Sequence, residues 1–258
     1  MTKVITFALQ KGGVGKTTSS ALTAHLLAEA GYNVLTIDLD SQGNLTQIIS
    51  GYDDLTVFAD TTLKEALEAG DLSDFVREAR PGLDYVPTDD YLALIDRYEG
   101  PNDRNSLLKI ALESIKEDYD YIIVDTPPSL SIQTLNALMA SDYVVIMFET
   151  AKMAYNAIDR FTATVEGVQA AGNPDLEIVG ILATLNDARR SDSKAYLARV
   201  REEYDDLLFN TIIKRKASVG RIPSLYLVNN PEIKEATAQH AEFVKELIER
   251  VEAKTRVR

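Results

Sequence analysis

Residues 10–18 read Gln10-Lys11-Gly12-Gly13-Val14-Gly15-Lys16-Thr17-Thr18, a glycine-rich stretch between an apolar segment at 3–9 and a helix-forming segment at 16–30. A strand, a glycine loop and a helix in this order are the context that a P-loop requires. The glycines let successive backbone N–H groups point at one anion, and the helix N-terminus adds the positive end of its dipole. We therefore predict that residues 11–18 bind nucleotide phosphates.

Two side chains of this loop have predicted chemical roles. Lys16 supplies a mobile positive charge for the β- and γ-phosphates, and Thr17 supplies a hydroxyl for Mg²⁺. The strict P-loop pattern has glycine where this chain has Gln10, but the neighbouring glycines can make the turn without it. The alternative interpretation is an ordinary glycine turn that opens a helix.

Strand-like and helix-like segments alternate along the chain. The strand-like segments are short and apolar at almost every position, which is typical of strands buried on both faces of a parallel sheet. Strands are predicted at 3–9, 33–38, 83–87, 121–125, 143–148, 176–184 and 209–213. Helices are predicted at 16–30, 62–69, 105–117, 131–140, 154–171, 193–204 and 231–251. This order predicts an α/β fold with a doubly wound, mostly parallel sheet flanked by helices, in one domain spanning residues 1–258.

Acidic side chains follow two of the predicted strands. Asp38 closes the segment at 33–38, and Asp40 follows two residues later. Asp125 closes the apolar segment at 121–125, just before Thr-Pro-Pro. Open α/β sheets bind ligands at the carboxyl ends of their strands. Mg²⁺ is usually held there by one or two carboxylates, several waters and the substrate phosphates. The alternative for Asp38 and Asp40 is a surface acidic turn, and the alternative for Asp125 is an ordinary buried strand that happens to end in aspartate. The P-loop in the same chain favours the metal-binding interpretation of both.

Lys11 and the run Asp38-Leu39-Asp40-Ser41-Gln42-Gly43-Asn44 make the resemblance specific. The chain resembles the ParA/MinD family of deviant Walker A P-loop ATPases, and most closely its small partition ATPases; Ser41 stands where the family has proline. The resemblance implies that Lys11 reaches the partner's phosphates across a nucleotide-sandwich dimer. It also implies that Asp40 orients the attacking water, and that Asp38 and Asp125 support Mg²⁺ through water. Lys11, Lys16 and Asp40 are therefore the expected catalytic residues, with ATP and Mg²⁺ as cofactors.

The adenine side of the predicted site is less specific. The segments at 184–189 and 212–215 align with the family's base-binding segments, and Lys214 stands where the family usually has proline. The resemblance thus places two residues near the nucleotide base, Asn186 and Lys214.

Charge is distributed unevenly. The chain has 258 residues and a formal net charge of −13, which taken alone disfavours binding to nucleic acid. Residues 187–221, however, carry nine Lys or Arg against six Asp or Glu, leaving −16 for the remainder. The family resemblance implies non-specific DNA binding by the ATP-bound dimer, and the candidate contacts are Arg189, Arg190, Lys194, Arg215, Lys216 and Arg221. A solvated basic surface is the alternative.

These features together predict an ATP-dependent DNA-partition ATPase of the cytoplasm, associated with the nucleoid. The expected partners are a second copy of the chain, non-specific DNA and a ParB-like or small centromere-binding adaptor that stimulates hydrolysis. Because the P-loop opens almost at the first residue, we expect the small type without a preceding helix-turn-helix domain. The absence of cysteine excludes disulfides, thiolate metal sites and iron–sulfur clusters.

Three alternatives remain open at this point. One is a MinD-like ATPase anchored to a membrane surface by an apolar stripe on the last helix. That helix is rich in glutamate, which suits an anionic membrane poorly, so we expect no membrane partner. The second is a ParA-like ATPase that positions a protein cargo. The third is an ATP-dependent metabolic enzyme such as a relative of dethiobiotin synthetase.

Overall fold

A computed structural model describes the backbone of residues 1–150, 152–186, 191–214 and 231–255, and most of their side chains. Within these ranges eight strands form one sheet: β1 Lys3–Ala8, β2 Val34–Asp38, β3 Arg77–Arg80, β4 Leu83–Val86, β5 Tyr121–Asp125, β6 Tyr143–Glu149, β7 Glu177–Asn186 and β8 Leu208–Lys214. The helices are α1 Lys16–Glu29, α2 Asn44–Ser50, α3 Leu63–Ala69, α4 Leu107–Leu112, α5 Ile132–Ala140, α6 Lys152–Ala171, α7 Ser191–Glu203 and α8 Pro231–Thr255. Short 3₁₀ helices lie at Leu55–Phe58, Asp90–Arg97 and Lys116–Asp118.

The strand order is β3-β4-β2-β5-β1-β6-β7-β8. Every pair is parallel except β3 with β4, at one edge of the sheet. The predicted doubly wound, mostly parallel sheet is therefore confirmed. Since β2, β5 and β1 are adjacent and parallel, their carboxyl ends lie side by side at the same end of the strands, where ligands bind in such folds.

The sheet is apolar on both faces because helices cover both. Val4 and Ile122 belong to a cluster with α3 and α4, whereas Ile5 and Phe7 belong to a larger cluster that includes α1 and α8. β5 is buried throughout and β1 is buried from Val4 onwards, as their near-continuous apolar sequences predict. This packing fixes the strand ends that carry the polar residues of the site.

The predicted helix at 105–117 is shorter than expected. Its apolar face is buried, but α4 ends at Leu112, and a separate 3₁₀ turn follows. The hydroxyl of Ser114 donates to the carbonyl of Ala111 (3.1 Å) and accepts from the backbone N–H of Leu72 (3.3 Å). Such side-chain bonds compete with the helical hydrogen-bond ladder, so the chain turns at this point.

The last helix contributes its apolar stripe to the core. Phe243, Val244, Leu247 and Val251 are all buried, and the Phe243 ring meets those of Phe209 and Phe7 edge-on, with centroids 4.9 and 6.2 Å away. Among the helices of the described ranges, none has both the length and the apolar character needed to cross a membrane.

Candidate nucleotide-binding site

The glycine loop has the backbone conformation that its sequence predicts. Gly13 and Gly15 have φ angles of +72° and +83°, in the left-handed region that favours glycine. A Cβ built at either residue meets no atom within 4 Å, so the space beside the loop is open. The loop leads directly into α1, whose 14 residues place a full helix dipole behind it. The result is an open anion cradle at the edge of the sheet.

Lys16 lies at the base of this cradle. The residue is only 7% exposed, and its ammonium donates to the carbonyl of Lys11 at 3.0 Å. Burial lowers the pKa of Lys16, while the nearby charges of Asp125 and Asp40 raise it. The loop thus holds a buried cation between two carboxylates and the phosphate cradle, as its predicted role requires.

Asp125, the last residue of β5, offers an acceptor to a cation. The residue is fully buried, and its Oδ1 accepts from the hydroxyl of Ser20 at 3.2 Å. Its Oδ2 is also buried and has no hydrogen-bond partner among the described residues. Burial raises the pKa of Asp125 to about 6. It outweighs a hydrogen bond from Thr17 and the positive charge of Lys16, which both lower this pKa. An orphaned carboxylate oxygen beside Thr17 fits a site for Mg²⁺ or its bound water.

The described residues contain no group of three or more His, Asp or Glu side chains placed to bind a metal. A divalent ion here would therefore depend on Thr17, Asp125 and the phosphates of a nucleotide, which is how proteins usually bind Mg²⁺. The predicted metal role of these residues fits the donor set and stays a prediction.

Asp38 lies at the end of β2, in register with Asp125 on β5. Its two oxygens accept from the backbone N–H groups of Asp40 (3.1 Å) and Thr46 (3.0 Å). Burial and the charge of Asp125 raise its pKa well above the usual range. Since both oxygens already accept hydrogen bonds, Asp38 would support a metal through water and fix the turn that carries Asp40.

Asp40 follows on this turn and is half-buried. Its Oδ1 accepts from the backbone N–H of Gln42 at 3.1 Å, which closes an Asx turn. Its charge acts on Lys16 and on Asp125. The carboxylate predicted to orient a water therefore lies beside the loop lysine, on a turn that is fixed at both ends.

The predicted base-side residues end neighbouring strands. Asn186 on β7 is in register with Lys214 on β8, and Lys214 is exposed. Two residues before Asn186, the Thr184 hydroxyl donates to the carbonyl of Val14 in the glycine loop at 2.7 Å. The structure thus places both predicted residues at the same edge of the sheet as the phosphate loop.

The predicted DNA-contacting residues are mostly outside the described ranges. Lys194 is exposed on α7. The others lie beyond the residues that the structure describes: Arg189, Arg190, Arg215, Lys216 and Arg221.

Three residues of the site were not found by sequence reasoning. Ser20 holds Asp125, Thr184 holds the glycine loop, and Glu149 forms an ion pair with Lys11. Glu149 could have been found, because a carboxylate that closes an apolar strand is the signal that identified Asp125. Ser20 and Thr184 have no distinguishing pattern in the sequence.

The glycine loop, the buried Lys16 and the carboxylates at the strand ends together define a P-loop nucleotide-binding protein. A family model described as an AAA domain matches residues 2–178. The sporulation initiation inhibitor protein Soj of Bacillus subtilis is 37% identical over 227 residues, covering 87% of this chain and 88% of Soj. The chromosome partitioning protein ParA of Caulobacter vibrioides is 36% identical over 227 residues, covering 86% of this chain and 84% of that protein.

Solved structures with a similar fold contain adenine nucleotides and magnesium. A crystal structure described as cobyrinic acid a,c-diamide synthase from Mycobacterium smegmatis, with bound ADP and magnesium, is 31% identical with a TM-score of 0.81, covering 96% of this chain and 94% of that one. A second structure of that protein contains an ATP analogue and magnesium. The chain therefore belongs to the ParA/MinD family of P-loop ATPases.

The buried charge of Asp125 predicts a stability effect. Its folded-state pKa of about 6 lies above the unfolded value of about 4, so the unfolded chain releases this proton first as pH rises. The stability that protonated Asp125 gives the folded state is therefore lost as pH rises from about 4 to about 6. At pH 7 the full free-energy cost of its buried charge is present. We expect Asp125→Asn, without nucleotide and Mg²⁺, to stabilise the protein at pH 7 by about 2 kcal/mol, or about 4–8 °C in Tm.

Calorimetry at pH 7 and pH 4.5 provides the test and its control. The gain should shrink at pH 4.5, where Asp125 is already protonated, and the variant should lose the rise in Tm that Mg²⁺ with nucleotide gives the wild type. An unchanged or lower Tm at pH 7 would contradict the assignment of a costly buried charge.

Proposed function

We propose that this protein is an ATP-dependent DNA-partition ATPase. The observation that carries the proposal is the glycine loop with its two lysines, Lys16 buried beneath the cradle and Lys11 at its rim. The similarity to Soj and ParA supports the same conclusion. ATP with Mg²⁺ is the proposed ligand, and the magnesium and adenine nucleotides in the similar solved structures support it.

The proposed hydrolysis uses the residues described above in separate roles. The loop N–H groups and Lys16 bind and orient the phosphates, and Asp40 accepts a hydrogen bond from the attacking water and holds it in line. Thr17 and Asp125 would hold Mg²⁺, which when bound neutralises charge on the β- and γ-phosphates. Each role matches the placement of the side chain at the carboxyl edge of the sheet.

Dimerisation is proposed from the position of Lys11. Its side chain is 21% exposed at the rim of the loop, and its ammonium contacts Glu149 rather than its own cradle. An ammonium at the rim can reach phosphates bound by a second chain, where it would stabilise charge as arginine fingers do in other NTPases. Closure of two loops on two nucleotides would thereby couple ATP binding to a homodimer.

The dimer is proposed to bind DNA non-specifically and to be released when an adaptor, ParB-like or a small centromere-binding protein, stimulates hydrolysis. The proposed DNA contacts include Lys194, which is exposed on α7 within the basic segment at 187–221. A nucleoid location follows from this activity. The acidic remainder of the chain repels phosphate backbones, so binding would be confined to this one surface.

The decisive experiment is DNA binding with ATP, ADP or no nucleotide across a salt series. We expect binding only with ATP and regardless of sequence. If about six phosphates are contacted, affinity should fall about a thousandfold between 50 and 200 mM salt. Lys194→Ala should reduce the salt dependence, whereas Lys245→Ala, an exposed lysine on α8, should not. Equal binding with ADP, or binding to one sequence only, would contradict the proposal.

A P-loop metabolic enzyme is the second candidate, favoured by the synthase description of one similar structure. ATP turnover without a small-molecule substrate would separate the two, because a synthase requires an acceptor. The MinD-like alternative is disfavoured by α8, because Phe243, Val244, Leu247 and Val251 of its apolar stripe are buried in the core. A liposome flotation assay with ATP tests it directly. A pull-down of bound partners separates DNA partition from positioning of a protein cargo.

A further inference from the structure

Glu149 is the last residue of β6, and its carboxylate forms an ion pair with the ammonium of Lys11. The two side chains are 23% and 21% exposed, so the pair lies at the rim of the site and is partly shielded from water. The residues are 138 positions apart, and the fold alone brings them together. Neither the nucleotide chemistry nor the proposed hydrolysis uses this carboxylate.

The pair is part of a wider set of contacts that fixes the glycine loop. The Lys11 carbonyl accepts from the Lys16 ammonium at 3.0 Å, so Lys11 is held through its backbone and through its side chain. Thr184, the register partner of Glu149 on β7, donates to the carbonyl of Val14 at 2.7 Å. The ends of β6 and β7 thus hold both ends of the loop.

We propose that Glu149 is a positioning residue that holds Lys11 within its own chain and thereby sets how tightly two ATP-bound chains associate. The inference rests on the proposed function, in which Lys11 contacts the partner's phosphates. The Lys11 ammonium could contact Glu149 and the partner's phosphates at once only if the Glu149 carboxylate came close to those phosphates. Two negative groups that close together repel each other. The ion pair must therefore break when the dimer closes, once in each chain.

The test is Glu149→Gln, which keeps the shape of the side chain and removes its charge. A partly exposed ion pair is worth a few-fold in equilibrium, so two pairs predict a dimer dissociation constant about tenfold lower in the variant. Sedimentation velocity with Mg²⁺ and a non-hydrolysable ATP analogue measures it. Glu177→Gln, which breaks a similarly exposed pair with Lys254 at the other end of β7, is the control and should leave the dissociation constant unchanged.

The cysteine-free chain with its native lysines allows a second measurement. A carbodiimide activates the Glu149 carboxylate, and the Lys11 amine displaces the activated oxygen to form an amide while the reagent leaves as a urea. Mass spectrometry should find this cross-link in the wild type without nucleotide and lose it with Mg²⁺ and the analogue. The Lys254–Glu177 cross-link, whose groups lie 2.7 Å apart, should persist in both conditions.

The outcomes separate this inference from the function on which it rests. If wild-type protein dimerises with the analogue but Glu149→Gln associates equally or more weakly, the role of Glu149 is wrong and the proposed function stands. A Lys11–Glu149 cross-link that persists in the dimer leads to the same conclusion. If the wild type does not dimerise with the analogue, the proposed function and this inference are both wrong.

Discussion

Replacing Lys16 with alanine is expected to weaken ATP binding at least about a hundredfold, because charge-assisted hydrogen bonds to phosphate contribute about 1.5–3 kcal/mol each and the proposed role of Lys16 gives it more than one. The residue is buried at the base of the glycine loop, where its ammonium faces the proposed phosphate site. Isothermal titration with ATP and Mg²⁺ measures the loss.

Folding must be controlled in this experiment. Removal of the Lys16 ammonium leaves Asp125 and Asp40 without the nearby cation and frees the carbonyl of Lys11. Lys16→Met fills more of the volume and should lose binding equally, while Lys245→Ala on α8 should bind as the wild type does. Near-wild-type affinity in either Lys16 variant, with a cooperative thermal transition, would contradict the assignment of the phosphate loop.

Replacing Asp40 with alanine is expected to separate binding from hydrolysis. The side chain is the proposed acceptor for the attacking water, and loss of such a group lowers the rate at least about a hundredfold. ATP binding should remain within a few-fold of the wild type, because the phosphates are held by the glycine loop and Lys16. Dimers of this variant with ATP should persist, because the nucleotide that holds them is not consumed.

Asp40→Asn provides the sharper comparison. Asparagine can keep the hydrogen bond from the Gln42 N–H that closes the turn, but it lacks the negative charge. If charge is what orients the water, both variants fail, as phosphate release under single-turnover conditions would reveal. Normal turnover by Asp40→Ala would show that the water is held by another group. Activity in Asp40→Asn alone would assign Asp40 a structural role in the turn.

The sequence predicted the central sheet and the phosphate loop because both depend on local chemistry. The strand Tyr121–Asp125 is apolar up to its last residue since both faces are buried, and a phosphate cradle requires glycines at positions with positive φ. The placement of Asp38, Asp40 and Asp125 at one edge followed from their positions at the carboxyl ends of predicted parallel strands. Their exact roles in metal binding and hydrolysis stay predictions.

Between β2 and β5 the helix at 62–69 and the strand at 83–87 were predicted within one residue, but two other elements were missed for physical reasons. The edge strand Arg77–Arg80 has the sequence Arg-Glu-Ala-Arg, which carries no apolar signal because none of its four residues is buried. The helix Asn44–Ser50 spans only seven residues, too few for a clear helical period. The end of an apolar strand marks Glu149 as a candidate, but its contact with Lys11 could not be predicted, because it depends on how strands distant in sequence are aligned.

The central position of β1 has a consequence for biosynthesis. Strand β1 lies between β5 and β6 in the sheet, so both of its partners leave the ribosome more than a hundred residues after it. At usual translation rates this delay is on the order of ten seconds, during which an apolar strand followed by a glycine-rich loop has no sheet to join. The site at the ends of β1, β2 and β5 can therefore form only after the chain has been synthesised beyond Asp125.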